Sequence, residues 1–387
     1  MSILDGSAAP GTLRAPFRYF AGSRIIERQV DLALAAGCEK IACLVDGVGR
    51  EVVAAQERAE SAGARFIALQ EARPLSGLVS ASDELLVIGA GVLPSDDIVL
   101  RHAARPSVLV FPAADAVPKG FERIDPEFAW SGVMLAHGAI VERLSELPPD
   151  ADVISCLLRI ALQSGVRIQP LEKRLLDEGL WHFNPTEAEL ADRAEHWIHS
   201  HAAAAAFTAP GLAVSERIGT KLAKDLLGGR GARIPAIAAG LAGVVALTLG
   251  ILEFPVAALG FAALMAVFGA AGETVERISN AGRFGVHRSA LAKAVDWLTD
   301  PILAILVALA SPEDTQWLRL FVPAILFGLL RLGERWGAPR WQNTYRDRVA
   351  LALLIVPAAF LGVAQPVVAV IALVVLVSLF LAPSRGQ

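Results

Sequence analysis

Four carboxylates close to the ends of two apolar segments are candidate functional residues. Glu273 and Glu276 are three residues apart, so they share one face of a helix. Asp296 and Asp300 are four apart and also share a face. Ionisable groups at membrane depth are costly and rarely incidental. Four such acids could hold Mg²⁺ or Mn²⁺, which would clamp a pyrophosphate while one carboxylate deprotonates an alcohol.

An alternative follows from the same four acids. They would be water-facing helix ends whose charges are balanced by nearby basic side chains. The basic residues nearest in sequence are Arg277, Arg283 and Lys293.

Composition divides the chain into two unlike halves. Of its 387 residues, 54% are hydrophobic and 19% charged, against roughly 25% charged in an average soluble domain. Residues 207–387 hold 16 of the 35 Lys and Arg and 11 of the 39 Asp and Glu, a net charge of +5, and the remaining 19 and 28 leave −9 for the first half. This excludes a purely soluble enzyme and a simple membrane bundle. The overall charge of −4 also gives no basic surface for nucleic acid.

The first 200 residues predict alternating strands and helices. Helices are expected at 24–36, 51–62 and 152–164. Short apolar strands are expected at 40–45, 65–69, 84–88, 107–111 and 166–170. This alternation is typical of a parallel sheet built from βαβ units. A further helix is expected after Thr186, because Glu189 three residues later has the spacing of a capping box.

The second half begins with a basic amphipathic helix at 213–227, of the kind that lies in a membrane interface, and a glycine-rich break at 228–231. Six apolar segments follow, some shorter than the roughly 20 residues that a span needs, so their helices must extend into polar flanks. The segments are 234–252, 254–272, 297–310, 317–332, 349–363 and 366–381.

Loop charge predicts the orientation of these segments. Nine of the 16 basic residues after position 207 lie in two connections, between segments two and three and between segments four and five. The positive-inside rule places both connections, the first half and both termini in the cytoplasm. We therefore expect a multi-pass protein of the inner (cytoplasmic) membrane.

The second half, about residues 213–381, resembles the CDP-alcohol phosphotransferase family. That family has six spans and the motif DxxDGxxARx8GxxxDxxxD across spans two and three. The resemblance implies that Glu273, Glu276, Asp296 and Asp300 bind Mg²⁺ or Mn²⁺ and that Asp300 is also the catalytic base. It further implies that Arg283 and Gly285 contact the CDP moiety.

Two alignments of the motif are open. One keeps Asp296 and Asp300 as the last two acids and Arg283 as the arginine, but it leaves Glu273 and Glu276 two residues early. Two residues turn a helical side chain by about 200°. The other gives Gly285 the second glycine position, and Ser289 and Lys293 then replace the last two acids, which removes the metal site.

The first half, about residues 11–181, resembles nucleotidyltransferases, which are fused to this membrane family in inositol-phosphate cytidylyltransferase joined to di-inositol-phosphate-phosphate synthase. Residues 11–14 (GTLR) stand in for the glycine-rich loop, and residues 21–28 (AGSRIIER) follow the next family stretch. Where the family has Gly-Asp with a metal-binding Asp, this chain has Ala90-Gly91, and Asp96 and Asp97 come five residues late. We expect nucleotidyl transfer to be lost.

These observations predict an α/β, Rossmann-like nucleotidyltransferase-like domain over 1–183, connecting and interfacial helices over 184–230, and an all-α six-span transmembrane bundle over 231–387. The expected function is transfer of a phospho-alcohol group from a CDP-alcohol to an acceptor with release of CMP. The alternatives are a catalytically degenerate partner or regulator of lipid synthesis and an unrelated transporter. Expected partners are membrane lipid, the CDP-alcohol and its acceptor, and a second copy of the chain, with Gly240 and Gly243 permitting close helix contact.

Overall fold

The computed structural model describes residues 14–71, 73–146, 152–202, 208–226, 231–285, 288–311 and 316–381. The chain divides into two compact units. The α/β unit is Met1–His196 with Ala281–Val286, and the helical unit is Trp197–Asn280 with His287–Gln387. Residues 11–13 of the expected glycine-rich loop, residue 227 of the expected amphipathic helix and residues 228–230 of the expected break lie outside the described part.

The described part of the α/β unit has two main sheets, besides two short antiparallel pairs, 19–20 with 23–24 and 92–93 with 182–183. Strands β1 (Lys40–Leu44) and β2 (Arg65–Leu69) pair in parallel. The second sheet has the order β3-β5-β4-β6. Its strands are β3 (Glu84–Ile88), β4 (Ser107–Pro112), β5 (Phe128–His137) and β6 (Arg167–Pro170).

The expectation of a wholly parallel sheet is wrong, because β5 runs antiparallel to both β3 and β4. Only one-turn helices, Ala113–Ala116 and Val117–Lys119, stand between β4 and β5. No long crossover helix therefore returns the chain to the start of the sheet, as a parallel neighbour requires. Strand β6 does follow a crossover helix, and it pairs with β4 in parallel.

The longer helices of the α/β unit are the three expected at 24–36, 51–62 and 152–164, each within one or two residues of its expected ends, the one expected after Thr186, and one at 96–102 that was not predicted. They are α1 (Ile25–Ala35), α2 (Arg50–Ser61), α3 (Asp96–His102), α4 (Val153–Gln163) and α5 (Glu187–His201), which continues into the helical unit. The capping box before α5 is confirmed. Thr186 N donates to Glu189 Oε2 at 2.7 Å, and Glu189 N donates to Thr186 Oγ1 at 3.3 Å.

A cavity of about 450 Å³ lies between the two sheets. Residues of β1 such as Ile41 line one side, and residues of β3 such as Leu86 line the other. Among the described residues, β1 pairs with β2 and β3 pairs with β5, so their facing edges carry no neighbouring strand. Several residues that line the cavity, such as Leu44 and Val87, belong to one buried apolar cluster of the unit, and Phe111 and Trp181 belong to another.

The helical unit places every one of the six apolar segments in a helix. The helices are α6 (Pro210–Leu226), α7 (Ile234–Ile251), α8 (Pro255–Asn280), α9 (Ala290–Leu309), α10 (Gln316–Trp336), α11 (Pro339–Arg346), α12 (Arg348–Phe360) and α13 (Ala364–Phe380). As expected, α8, α9 and α10 extend into polar sequence. Helix α6 is the expected amphipathic helix.

Two described helices, α7 and α8, are long and apolar enough by length and composition to cross a membrane. Helices α12 and α13 are apolar but have 13 and 17 residues. Helix α9 has 20 residues and carries Lys293, Asp296 and Asp300.

Small residues let the helices of this unit approach closely, and a number of large apolar side chains are exposed on its surface. A Cβ on Gly243 would lie 2.8 Å from Met265 Sδ, and one on Gly333 would lie 2.7 Å from the Tyr345 ring. Gly243 is therefore occupied by contacts between α7 and α8, and it is not available for contact with a second copy. Ile251 and Phe380 are 77% and 83% exposed.

Candidate functional site

Glu273 and Glu276 lie one turn apart near the end of α8 and meet different partners. Glu273 pairs with Arg288, at 3.5 Å between Nη2 and Oε2, and with Arg346. Glu276 Oε1 accepts a hydrogen bond from Ser289 N at 2.7 Å, immediately before α9. Glu276 Oε2 is buried and has no hydrogen-bond partner among the described residues. One acid therefore balances two arginines, and the other holds the start of α9.

Asp300 is buried on α9 and is held by two arginines. Arg331 Nε donates to Asp300 Oδ2 at 2.6 Å. Arg348 donates from Nε to Oδ1 at 2.5 Å and from Nη2 to Oδ2 at 3.1 Å. Charge-assisted bidentate pairs of this kind are the strong class of hydrogen bond. Both oxygens of Asp300 therefore already accept hydrogen bonds from cations.

Glu334 of α10 completes this group. Its Oε1 lies 2.7 Å from Arg348 Nη2, and its Oε2 lies 3.7 Å from Arg331 Nη1. Two acids and two arginines balance each other, which is the condition under which buried charges are tolerated. We call Asp300, Arg331, Glu334 and Arg348 the Asp300 cluster.

Asp296 stands at the margin of the cluster. Its side chain is 48% exposed, and its Oδ2 lies 3.9 Å from Arg331 Nη1. Its backbone oxygen accepts a hydrogen bond from Arg331 Nη2 at 3.0 Å. Exposed pairs at this distance contribute little to stability.

The acids on α8 and α9 do not pair with the basic residues nearest to them in sequence. Arg277 pairs with Glu216 of α6, and Arg283 lies near Asp31. The arginines that do pair with the acids on α8 and α9 are Arg288, Arg331, Arg346 and Arg348. Three of these belong to the basic connection between segments four and five, where their charge predicted only the orientation of the loop. Their clustering near helix ends was the sequence feature that could have predicted these ion pairs with the acids.

A cavity of about 50 Å³ lies among α8, α9 and α12. Glu273 and Asp296 both line it, together with Arg288, Arg346 and Arg348. Pockets for small-molecule ligands occupy roughly 300–1,000 Å³. This cavity is therefore large enough for a few water molecules and too small for a nucleotide.

The fit of these residues to a divalent cation follows from the acids and their partners. Among the described residues, no three or more His, Cys, Asp or Glu side chains are grouped so that they could hold a metal ion. Three of the four predicted ligands face guanidinium groups, which repel a cation. In this arrangement the residues do not fit Mg²⁺ or Mn²⁺, and the four-acid metal site stays a prediction.

Arg283 and Gly285, predicted to contact CDP, lie in the segment that belongs to the α/β unit. There Asp31 accepts hydrogen bonds from Arg58 Nε at 2.7 Å and from Phe284 N at 3.2 Å. Arg283 Nε lies 3.9 Å from Asp31 Oδ2. Burial raises the pKa of Asp31, while the nearby arginines oppose that shift. These contacts hold the segment in place, and the role in CDP binding stays a prediction.

The resemblance assigns the position of a metal-binding aspartate to Gly91 in the α/β unit. Gly91 has a φ of +69°, and a Cβ there would overlap Oδ1 of Asn184. Its backbone oxygen accepts a hydrogen bond from Asn184 N at 3.1 Å. An aspartate therefore does not fit at this position without displacing Asn184. Nothing in the described part of this unit replaces it as a metal site.

Asp96, five residues later, lies instead in a positively charged setting. Burial raises the pKa of Asp96 to about 6, against the attraction of Arg28 and Arg193. Burial also lowers the pKa of each arginine to about 10. Both guanidinium groups lie over the Phe20 ring, at 5.7 Å and 5.2 Å from its centre. Arg193 donates to the backbone oxygens of residues 93 and 94, so this group ties α5 to the segment just before α3.

No protein-family model matches the chain, and no curated protein sequence matches it. The resemblance to the CDP-alcohol phosphotransferases and to the nucleotidyltransferases therefore rests on the residues quoted above.

Proposed function

We propose that this chain is a membrane-embedded, catalytically degenerate relative of the CDP-alcohol phosphotransferases that acts as a partner or regulator in lipid synthesis. Asp300 carries the proposal. The resemblance makes Asp300 the base and a metal ligand, yet both its oxygens accept hydrogen bonds from Arg331 and Arg348. A carboxylate held in this way is available neither to a divalent cation nor to the proton of an alcohol.

The membrane placement includes six spans, formed by α7, α8, α9, α10, α12 and α13. Supporting it, large apolar side chains on several of these helices are exposed, as for Leu241, Leu353 and Leu373 at 56–63%. Lipid would cover them, because contiguous exposed apolar surface is rare on soluble proteins. The helices shorter than a full span require local thinning of the bilayer or interfacial residues at their ends. The basic connections orient the spans with the α/β unit in the cytoplasm.

The α/β unit supports the proposed loss of catalysis, because it lacks groups that nucleotidyl transfer needs. Nucleotidyl transfer joins two anions and depends on a metal or a basic loop to offset phosphate charge. Gly91 replaces the acid that would hold the metal, and the contact with Asn184 leaves no room for that acid. The unit then serves as a binding or docking module.

An active transferase is the second candidate, favoured by one observation. Glu273 and Asp296, from different helices, line the same small cavity. For this candidate the bound CDP-alcohol would have to draw Arg331, Arg346 and Arg348 onto its phosphates. The acids would thereby be released for a metal.

Release of CMP separates the two candidates. The purified chain in detergent is given several CDP-alcohols, Mg²⁺ or Mn²⁺, and alcohol or lipid acceptors, beside a family member with an intact motif as positive control. The proposal expects no CMP above the protein-free background with any donor. Metal-dependent CMP release that Asp300→Asn abolishes would instead establish the active transferase.

A further inference from the structure

The outer surface of the helical unit has a groove between α9 and α10 that contains both aromatic and basic side chains. Its volume is about 420 Å³. It is lined by Trp297 of α9 and by Gly328, Arg331, Leu332, Arg335 and Trp336 of α10. The five residues of α10 follow the spacing i, i+3, i+4, i+7 and i+8, so they form one face of the helix. We call this feature the α9–α10 groove.

The two ends of the groove differ in chemistry. At one end Gly328 leaves a notch, since a Cβ there would meet no described atom within 4 Å. Leu332, one turn further, is 48% exposed. At the other end Trp297 and Trp336 are 73% and 71% exposed. Tryptophans with this exposure are typical of the boundary between hydrocarbon and headgroups.

Arg335 lies at the aromatic end and is exposed. It makes no hydrogen bond or ion pair with any residue in the part of the chain that the structure describes. Its neighbour Arg331 is held by Asp300 and Glu334. The groove therefore presents one unbalanced positive charge at headgroup level, above a narrow apolar notch.

We propose that the α9–α10 groove binds one anionic phospholipid, with the phosphate at Arg335 and an acyl chain along Gly328 and Leu332. A zwitterionic lipid carries its own cation, which competes with Arg335 for the phosphate. A second copy of the chain seated here by two-fold symmetry would bring another unbalanced Arg335 to the same face. The inference rests on the membrane placement in the proposed function and is independent of the loss of catalysis.

Native mass spectrometry of the whole chain in detergent tests this proposal, with phosphatidylglycerol and phosphatidylcholine of identical acyl chains. The wild type is expected to retain phosphatidylglycerol about fivefold better, the ratio given by about 1 kcal/mol per basic residue near a membrane surface. Arg335→Gln is expected to remove that preference. Gly328→Leu is expected to lower retention of both lipids.

Gly260→Leu on α8 is the matched control, because a Cβ at residue 260 also meets no described atom within 4 Å. It is expected to bind both lipids like the wild type. Equal retention of the two lipids by the wild type, or an unchanged preference in Arg335→Gln, overturns the proposal. So does a two-chain species that Gly328→Leu dissociates. The proposed membrane location is tested separately. A chain that stays in solution without detergent would contradict it.

Discussion

Arg348 and Asp300 form a bidentate ion pair, with Nε at 2.5 Å from Oδ1 and Nη2 at 3.1 Å from Oδ2. Asp300 lies on α9 and Arg348 begins α12, 48 residues later in the chain. The pair therefore joins two helices through the residue that the resemblance makes the catalytic base. Its geometry accounts for both the proposed loss of chemistry and the stability of this part of the helical unit.

Asp300→Asn is expected to destabilise the helical unit by about 3 kcal/mol, because it removes the carboxylate that pairs with the largely buried Arg348 guanidinium and with the partly exposed Arg331. Thermal unfolding in detergent measures the change. Asp296→Asn is the matched control and is expected to change stability by less than about 0.5 kcal/mol, since Asp296 is half exposed and 3.9 Å from its arginine. Equal effects of the two variants would contradict the ion-pair role.

Divalent cations are expected to leave the unfolding temperature unchanged. A ligand that binds only the folded state stabilises it by RT ln(1 + [L]/Kd), so a resident metal would show as a loss of stability on chelation. Scans with Mn²⁺, Mg²⁺ or a chelator measure this. Stabilisation by Mn²⁺ that disappears in Asp300→Asn would show that the acids bind metal after all.

Gly91→Ala is expected to destabilise the α/β unit by roughly 3 kcal/mol, and Gly165→Ala by about 1 kcal/mol. Both residues have a positive φ, +69° and +78°. A Cβ on Gly91 would overlap Asn184 and lie 3.0 Å from the Ala15 side chain, whereas a Cβ on Gly165 meets no described atom within 4 Å. Urea unfolding measures the loss of unfolding free energy in each variant and so separates the steric contact from the backbone strain. Equal losses in the two variants would mean that Asn184 moves aside.

Asp96 and His182 are expected to give the α/β unit opposite pH dependences. Burial raises the pKa of Asp96 from 3.8 to about 6, so the folded state binds this proton more tightly than the unfolded state. Its contribution to the unfolding free energy therefore falls as the pH rises from about 4 to about 6. Burial lowers the pKa of His182 from 6.5 to about 4, so its contribution rises as the pH rises across that window and up to about 6.5.

The two contributions oppose each other in the wild type. Asp96→Asn is expected to leave stability that rises with pH, and His182→Gln is expected to leave stability that falls with pH. Urea unfolding at a series of pH values from about 4 to 7 measures both slopes. A slope in Asp96→Asn identical to the wild type would show that Asp96 does not titrate in this window.

The orientation of the helices is tested by a matched pair of variants, Phe254→Cys and Phe284→Cys. Both residues are exposed and lie in the connections on either side of α8. With Cys38, Cys43 and Cys156 replaced by serine, a membrane-impermeant maleimide on intact cells is expected to label residue 254 and not residue 284, because the basic connection lies inside. Labelling at 284 alone would reverse the orientation.

Local features were readable from the sequence, because each depends on neighbouring residues. The strands at 65–69 and 84–88 and the capping box of Thr186 and Glu189 lie where their patterns predict. The antiparallel course of β5 was not readable, since it depends on how the chain returns after β4. The partners of Asp300 were equally hidden, because Arg331 and Arg348 come from helices 31 and 48 residues away.

The Asp300 cluster also constrains how the sequence can change. Replacing either arginine alone leaves the cluster with a net negative charge, and replacing Asp300 or Glu334 alone leaves it with a net positive charge. Under the proposed relationship to metal-binding transferases, a return to an acid-rich arrangement would therefore pass through destabilised single-substitution intermediates. The paired arrangement would then be easier to gain by substitution than to lose.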